Sequence, residues 1–332
     1  MSKKLIRRSL SIALLLVFLD GSLAVAQASS PKQNATQSKC IPIGRVLNNS
    51  DRDLKAGSVI CPGDRLQPES GRTVEVLCYL NRQILQLQSG SVSDQLNGCL
   101  PRATKFKLCT PEHSDGCPRF KGPSEGNNTP AIVSPYSSAL LNRRPTISWY
   151  AVTNATSYTV QVSGQGVDWQ VVVKDRVLPY PKNQPALQFG NAYKITVIAN
   201  RNDSAISAST SVVNVVSASD AKQITARIKQ ISNLGLPKDE TAFLDLDAVY
   251  MSQNLLSETI NTLNGRAKAG SRNPTLYRVL GDRYLEAGLP KEAKREYATA
   301  ARLAAAVNNS TELAKARIGL RRANAIANFQ PG

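Results

Sequence analysis

The chain has 332 residues, of which 42% are hydrophobic and 5% aromatic, and its formal net charge is +17. This length predicts two or three compact units. The basic excess favours acidic partners or anionic surfaces, but the basic residues are spread along the sequence, which is more typical of a solvated surface. The low aromatic content and a secretion signal at the N-terminus argue against nucleic-acid binding.

The N-terminus has the three parts of a secretory signal peptide. A short apolar run at residues 10–19 is followed by small-residue cleavage sites at 24–26 and 26–28. It is preceded by a basic region formed by Lys3, Lys4, Arg7 and Arg8. The apolar run is shorter than the roughly 20 residues that span a bilayer. We therefore predict a signal peptide at 1–28, a disordered polar leader at 29–39, and a periplasmic or secreted mature protein without a transmembrane span.

Six cysteines are confined to one segment, and residues 118–332 contain none. They are Cys40, Cys61, Cys78, Cys99, Cys109 and Cys117. An even number of clustered cysteines in an exported chain predicts disulfides. The competing interpretation is a metal site, which the absence of a C-x-x-C pair and the presence of a single histidine, His113, argue against. The spacing leaves the pairing open, although Cys109 with Cys117 is favoured because they flank a turn-rich loop.

Residues 40–120 contain short apolar runs at 59–60, 74–77 and 84–87, separated by glycine-containing turns, which predicts a small β domain. Leu54-x-x-Gly57, then Gly63-Asp64-x-Leu66, and finally a hairpin from Leu87 to Gly90-Ser91 resemble the pattern of a FecR-type β domain. The resemblance implies a signalling role, but without a membrane span such a module does not signal across a membrane alone. Residues 121–130 are predicted to be a linker.

Residues 131–217 show alternating runs at 145–149, 155–162, 169–173, 193–199 and 211–216, as in an antiparallel β-sandwich. The patterns Pro145-x-x-x-Trp149 and Tyr158-x-Val-x-Val162 resemble a fibronectin type III or related immunoglobulin-like domain. We interpret Trp149 as a core residue. Trp169 leaves open the alternative of a carbohydrate-binding platform.

Residues 219–329 have helical periodicity. We predict an amphipathic helix at 221–231, a helix opened by Pro237 and a last helix capped by Asn309. The apolar stripe of that last helix is predicted to be Ala314, Ile318 and Ile326.

A repeat motif lies within this helical region. Its residues are Tyr277, Leu280, Gly281, Tyr284, Gly288, Ala293, Tyr297 and Ala300. They resemble a tetratricopeptide repeat (TPR), a helix pair of about 34 residues. A weaker copy precedes it, with Phe243, Leu246, Asp247 and Tyr250 in equivalent positions. The resemblance implies a groove that binds a protein or peptide, and its candidate lining residues are Asp247, Asn254, Arg278 and Asp282.

The sequence shows no catalytic constellation. It has no P-loop, and His113 lies in a loop away from any evident nucleophile. Asp245 and Asp247 are two residues apart on a predicted helix, so they point to different faces. With Glu240 they are interpreted as a solvated surface. We predict no enzymatic activity, no cofactor and no metal site.

The sequence thus predicts a multidomain β plus α fold: a small disulfide-stabilised β domain, an antiparallel β-sandwich and C-terminal α-helical TPR-like repeats. The leading functional hypothesis is a non-enzymatic periplasmic or secreted scaffold that binds proteins through the TPR groove. The alternative is cell-envelope polysaccharide or peptidoglycan binding through the β domains.

Overall fold

The order of elements confirms the predicted class, with β sheets followed by C-terminal helices. A computed structural model describes residues 40–87, Cys99 and 128–329, and all of them belong to one compact unit, Ser38–Gly332. The predicted signal peptide at 1–28, the leader at 29–39, most of the linker at 121–130, Gly90-Ser91, His113 and the Cys109 with Cys117 pair lie outside the described residues. The domain boundaries given above stay predictions.

The N-terminal sheet is antiparallel with strand order β2-β1-β3-β4. Its strands are β1 Gly44–Val46, β2 Val59–Ile60, β3 Val74–Cys78 and β4 Ile84–Leu87. Their buried side chains form a small core around Val46, Ile60 and Val76. Sequence periodicity predicted all strands except β1, whose central residue is the charged Arg45. Close packing requires glycine at the start of β1, because a Cβ at Gly44 would lie 2.8 Å from the Leu77 carbonyl oxygen.

Two disulfides close this sheet, which confirms the predicted framework at four of the six cysteines. Cys40 pairs with Cys61 and Cys78 pairs with Cys99, each across 21 residues. Such bridges stabilise a small core by restricting the unfolded chain.

Two further sheets enclose a second core, as predicted for a sandwich. The first has the order β10-β7-β5 and the second β6-β12-β11-β8-β9. The strands are β5 Ile132–Ser134, β6 Ala139–Leu140, β7 Ile147–Trp149, β8 Ser157–Gly164, β9 Val167–Val173, β10 Val177–Leu178, β11 Ala192–Arg201 and β12 Ser204–Val215. The pairs are antiparallel except β6 with β12, which is parallel.

Both tryptophans belong to the sandwich core. Trp149 is 3% exposed and Trp169 is 6% exposed. The indole N–H of Trp169 donates to the Tyr180 hydroxyl at 3.0 Å. The burial of Trp169 therefore resolves the open alternative in favour of a core residue, and neither indole provides an exposed face for a sugar.

The helical region begins directly after the sandwich. Its helices are α1 Ala218–Ser232, α2 Lys238–Glu240, a π-helical segment Thr241–Leu246, α3 Asp247–Met251, α4 Leu256–Lys268, α5 Pro274–Glu286, α6 Pro290–Ala306 and α7 Ser310–Phe329. Pro274 and Pro290 open α5 and α6, where a missing N–H costs no hydrogen bond. Asn309 caps α7 as predicted, because its Oδ1 accepts from the Glu312 N–H at 3.0 Å. Among the described residues, no helix is both long and apolar enough to cross a bilayer.

The ring of the motif residue Tyr297 is enclosed by neighbouring helices. Tyr297 of α6 is fully buried between α5 and α7. A Cβ at Gly281 would lie 2.9 Å from this ring, and one at Gly319 would lie 2.3 Å from it. Neighbouring helices therefore approach Tyr297 closely only because glycine faces it on both sides.

This ring also explains why the predicted apolar stripe of α7 is wrong. Ile318 and Ile326 are each 42% exposed, and Ala314 is exposed as well. The buried face of α7 is formed by Ala316, Gly319 and Ala323. The space beside Tyr297 admits only small residues, so the bulkier isoleucines point away from it.

The helical region also contacts both β units. Leu47 and Leu77 of the N-terminal sheet pack with Ile224 of α1 and Val249 of α3. At the start of α4, the Glu258 carboxylate accepts the backbone N–H groups of Leu141 and Asn142 at 2.7 and 2.9 Å. These contacts join the sheets to the first helices of the region.

We expect Gly319→Ala to destabilise the protein by about 1–3 kcal/mol, since the added methyl overpacks against Tyr297. The matched control is Gly265→Ala in α4, where a Cβ would have no neighbour within 4 Å. That change should stabilise by roughly 0.5–1 kcal/mol through helix propensity. Urea unfolding followed by circular dichroism measures both, and equal effects would contradict the packing described for Tyr297.

Candidate protein-binding surface

The structure places three of the four predicted groove residues in two sets of ion pairs that meet on α5, Asp247 with Arg283 and Asp282 with Arg278. Asp247 lies on α3, whereas Arg278 and Asp282 lie one turn apart on α5. The fourth residue, Asn254, lies instead in the exposed turn between α3 and α4, where its backbone has a left-handed φ of 56°.

Arginines of α5 link this helix to its neighbours on both sides. Arg283 binds Asp247 through two hydrogen bonds of 2.7 and 2.5 Å, which join α5 to α3. Arg278 Nε donates to the Glu312 carboxylate at 2.7 Å, which joins α5 to α7. We call Asp247, Arg278, Asp282, Arg283 and Glu312 the ion-pair ladder. Sequence reasoning missed Arg283 and Glu312, although Glu312 follows Arg278 by the repeat length.

A buried tyrosine outside the ladder forms a hydrogen bond with one of its carboxylates. The Tyr297 hydroxyl donates to Asp282 Oδ1 at 2.6 Å, and Arg278 Nη1 lies 2.7 Å from Asp282 Oδ2. Burial raises the pKa of Asp282, although the Arg278 charge opposes that shift. Burial and the Asp282 charge raise the pKa of Tyr297 well above its ordinary value, so the phenol remains a donor.

Ladder side chains therefore have partners within the protein. The side chains of Arg278, Asp282 and Asp247 are 19%, 12% and 11% exposed. A peptide that used them would have to replace charge-assisted hydrogen bonds between helices, which costs more than displacing water. Their role in ligand binding stays a prediction, and the geometry gives them a role in joining α3, α5 and α7.

The N-terminal sheet covers the face of the π-helical segment next to the ladder. Arg45 of β1 is 1% exposed, and its Nε donates to Asp245 Oδ1 at 2.6 Å. Its Nη2 lies 2.5 Å from Glu240 Oε1, and the Tyr79 hydroxyl donates to Asp245 at 2.8 Å. Burial acts to lower the pKa of Arg45, but the electrostatic interactions with Tyr79 and Asp245 outweigh it and raise this pKa.

Asp245 was predicted to lie on a solvated surface, and that prediction is wrong. Its side chain is fully buried because Arg45 of β1 and Tyr79, which follows β3, cover this side of the helix. Periodicity along the helix gives no signal of this cover, since Arg45 is 200 residues away in sequence.

The turn after β3 reaches toward the ladder. Arg82, in this turn, donates through Nη1 to the Met251 carbonyl at the end of α3, at 3.3 Å. Burial and the neighbouring Arg283 guanidinium lower the pKa of Arg82. The helical surface around α3 is therefore partly covered by the protein's own sheet.

A different surface is open at the last helix. On α7 the side chains of Arg317, Ile318 and Arg321 are exposed on the side away from Tyr297. Within the described residues, no group of three or more His, Cys, Asp or Glu side chains is arranged to hold a metal ion.

Comparisons with known proteins add little to this geometry. No protein-family model and no curated protein matches the chain. A T3SS complex from Aeromonas hydrophila is similar at 21% identity over 33% of this chain and 75% of that chain, with a TM-score of 0.28. PcrH from Pseudomonas aeruginosa is similar at 20% identity over 32% of this chain and 83% of that chain, with a TM-score of 0.27.

We expect Arg45→Met to destabilise the protein by about 3–5 kcal/mol, because Asp245 would remain buried without its cation. The control is Arg72→Met. Arg72 pairs with Glu69, and these side chains are 60% and 46% exposed. Its loss should change stability by less than about 0.5 kcal/mol. Urea midpoints compare the two, and a small effect of Arg45→Met would show that Asp245 is solvated or neutral.

A second contact between the N-terminal sheet and α1 predicts that the stability of the protein depends on pH. Burial acts to raise the pKa of Glu75, but the Gln230 hydrogen bond at 2.9 Å and the Arg227 charge outweigh it and lower this pKa. A lowered folded-state pKa gives stability that is present above the unfolded pKa and lost as pH falls through the folded pKa.

Glu75→Gln should therefore be less stable than the wild type near neutral pH, and the difference should shrink as the pH falls below the ordinary glutamate pKa. Urea midpoints across this acidic range test the expectation. A difference that stays constant with pH would mean that Glu75 stabilises the protein through packing and not through its charge.

Proposed function

We propose that the protein is a non-enzymatic adaptor that acts outside the cytoplasm and binds another protein through its helical region. The observation that carries this proposal is the stack of α3, α5 and α7. Motif side chains Leu280 of α5 and Ala293 and Tyr297 of α6 are buried where α6 packs with α5 and α7, as the TPR resemblance implies. Stacked helix pairs of this kind present extended surfaces to partners.

Export is supported by the disulfides and by the N-terminal sequence. Cys40–Cys61 and Cys78–Cys99 are bridges of a type that persists in oxidising compartments. The predicted signal peptide accords with delivery to such a compartment.

The β units have a supporting role in this proposal. We interpret residues 40–120 as FecR-like and 131–217 as fibronectin type III-like, on the sequence patterns given above. Both contact the helical region through buried groups, Arg45 with Asp245 and the Leu141 N–H with Glu258. Through these contacts, each β unit would hold the helices in a fixed orientation at the cell envelope.

The alternative function is binding of a cell-envelope polysaccharide or peptidoglycan through the β units. It is favoured by the outer face of the five-stranded sheet, where exposed polar side chains pair across strands. Gln161 Nε2 donates to Gln170 at 3.1 Å, and the Thr196 and Thr210 hydroxyls lie 3.0 Å apart. The burial of Trp149 and Trp169 means that neither indole offers an aromatic platform to such a polymer.

Cross-linking mass spectrometry with the full mature chain in host envelope extract tests the adaptor. Deleting the helices is unsuitable, since Leu47, Leu77 and Arg45 would lose their buried contacts with them. We expect the cross-links to partner proteins to fall within residues 218–329. The control is the double variant Thr196→Ala/Thr210→Ala, which should leave these cross-links unchanged.

Cross-links confined to residues 40–217 would overturn the adaptor proposal. Co-sedimentation with purified cell wall that is lost in the Thr196→Ala/Thr210→Ala variant would favour the polysaccharide alternative.

A further inference from the structure

The last helix leaves one side without a neighbour in the described part of the chain. Arg317, Ile318, Arg321 and Ala325 recur on this side at helical spacing, and we call these four residues the terminal face. Ile318 is 42% exposed, and Val307, just before α7, is 61% exposed. End units of helical stacks normally have a polar outer face, so exposed apolar side chains here require a reason.

Charge is the second feature of this end. Residues 290–329 contain eight basic and three acidic residues, a net charge of +5. The single acidic residue of α7, Glu312, already pairs with Arg278. Within residues 40–87 and 128–329, no carboxylate forms an ion pair with Arg317 or Arg321. The terminal face therefore combines an apolar side, formed by Ile318 and Ala325, with adjacent uncompensated positive charge.

We propose that the terminal face binds an acidic amphipathic helix of a partner protein, which stacks on α7 as a further helix of the region. The proposal rests on the adaptor function, since it gives the class of partner for the same helical region. Apolar residues of the partner helix contact Ile318, and carboxylates beside them pair with Arg317 and Arg321.

Two other occupants fit the charge less well. A second copy related by two-fold symmetry would bring Arg317 and Arg321 toward the same arginines, and like charges in contact are unfavourable. Residues 29–39 and 100–127 of this chain each carry a net charge of +2, so neither segment complements the face.

Fluorescence anisotropy with the full mature chain tests the chemistry. The probes are two labelled amphipathic peptides of about 15 residues, long enough for a helix. One has leucine on one face and glutamate beside it, and the other has lysine in place of every glutamate. We expect the glutamate peptide to bind and the lysine peptide to bind at least about tenfold more weakly.

Variants locate the binding on the face. Arg317→Glu with Arg321→Glu should reverse the preference between the two peptides, and Ile318→Ser should weaken the binding of the glutamate peptide. Val172→Ser is the control, because Val172 is 62% exposed on β9 of the sandwich and should not matter. Equal affinity for both peptides, or affinity that none of the α7 variants changes, would overturn the proposal.

Two measurements test the other occupants. Sedimentation of the protein with phosphatidylglycerol vesicles that depends on Arg317 and Arg321, with no peptide binding, would overturn the proposal in favour of a membrane. A dimer in solution that Ile318→Ser dissociates would overturn it in favour of self-association.

A photoreactive amino acid in place of Ile318, compared with the same substitution at Asn254, separates this proposal from the adaptor function. Cross-links from position 318 to an acidic amphipathic segment of a partner support the proposal. Cross-links to a protein from position 254 alone would overturn it and leave the adaptor function intact. If neither position gives cross-links, and no partner is cross-linked to residues 218–329 in envelope extract, the terminal-face proposal and the adaptor function would both be overturned.

Discussion

The buried ion pair between Arg45 and Asp245 is the constraint on which the arrangement of this protein depends. The two side chains are 1% and 0% exposed, and 200 residues separate them in sequence. A buried charge without a partner is strongly unfavourable, so each residue is tolerated only when the N-terminal sheet and the helices are assembled. The pair therefore makes the sheet and the helical region mutually dependent.

The same physical principle operates inside the helical region. Arg283 with Asp247 and Arg278 with Glu312 connect α5 to the helices on either side. These are charge-assisted hydrogen bonds in partly buried positions, where water screens them less than at an open surface. Residues that a TPR resemblance places in a ligand groove thus serve to fix the spacing of successive helices.

These two sets of contacts restrict where a partner can bind. The sheet covers the π-helical segment, and the ladder occupies the polar groups of α3 and α5. The outer side of α7 keeps its arginines and Ile318 in solvent. The proposed adaptor activity is consequently centred on the C-terminal end of the helical region, whereas the sequence alone directed attention to the groove.

The sequence by itself determined the features that depend on near neighbours in the chain. Pro237 marks a helix start, Asn309 marks a cap, and alternation marks β8 and β11. The packing of Gly281 against Tyr297 also followed from a motif, because its spacing is local.

Only the tertiary structure decided which polar residues are buried and which side of α7 faces inward. The burial of Asp245 depends on Arg45 and Tyr79, which local periodicity cannot reveal. The inward face of α7 was set by the space beside Tyr297, which admits Gly319 and turns Ile318 to solvent. Hydropathy along a helix measures the preference of each residue for burial, whereas burial itself depends on the shape and charge of the elements that pack against it.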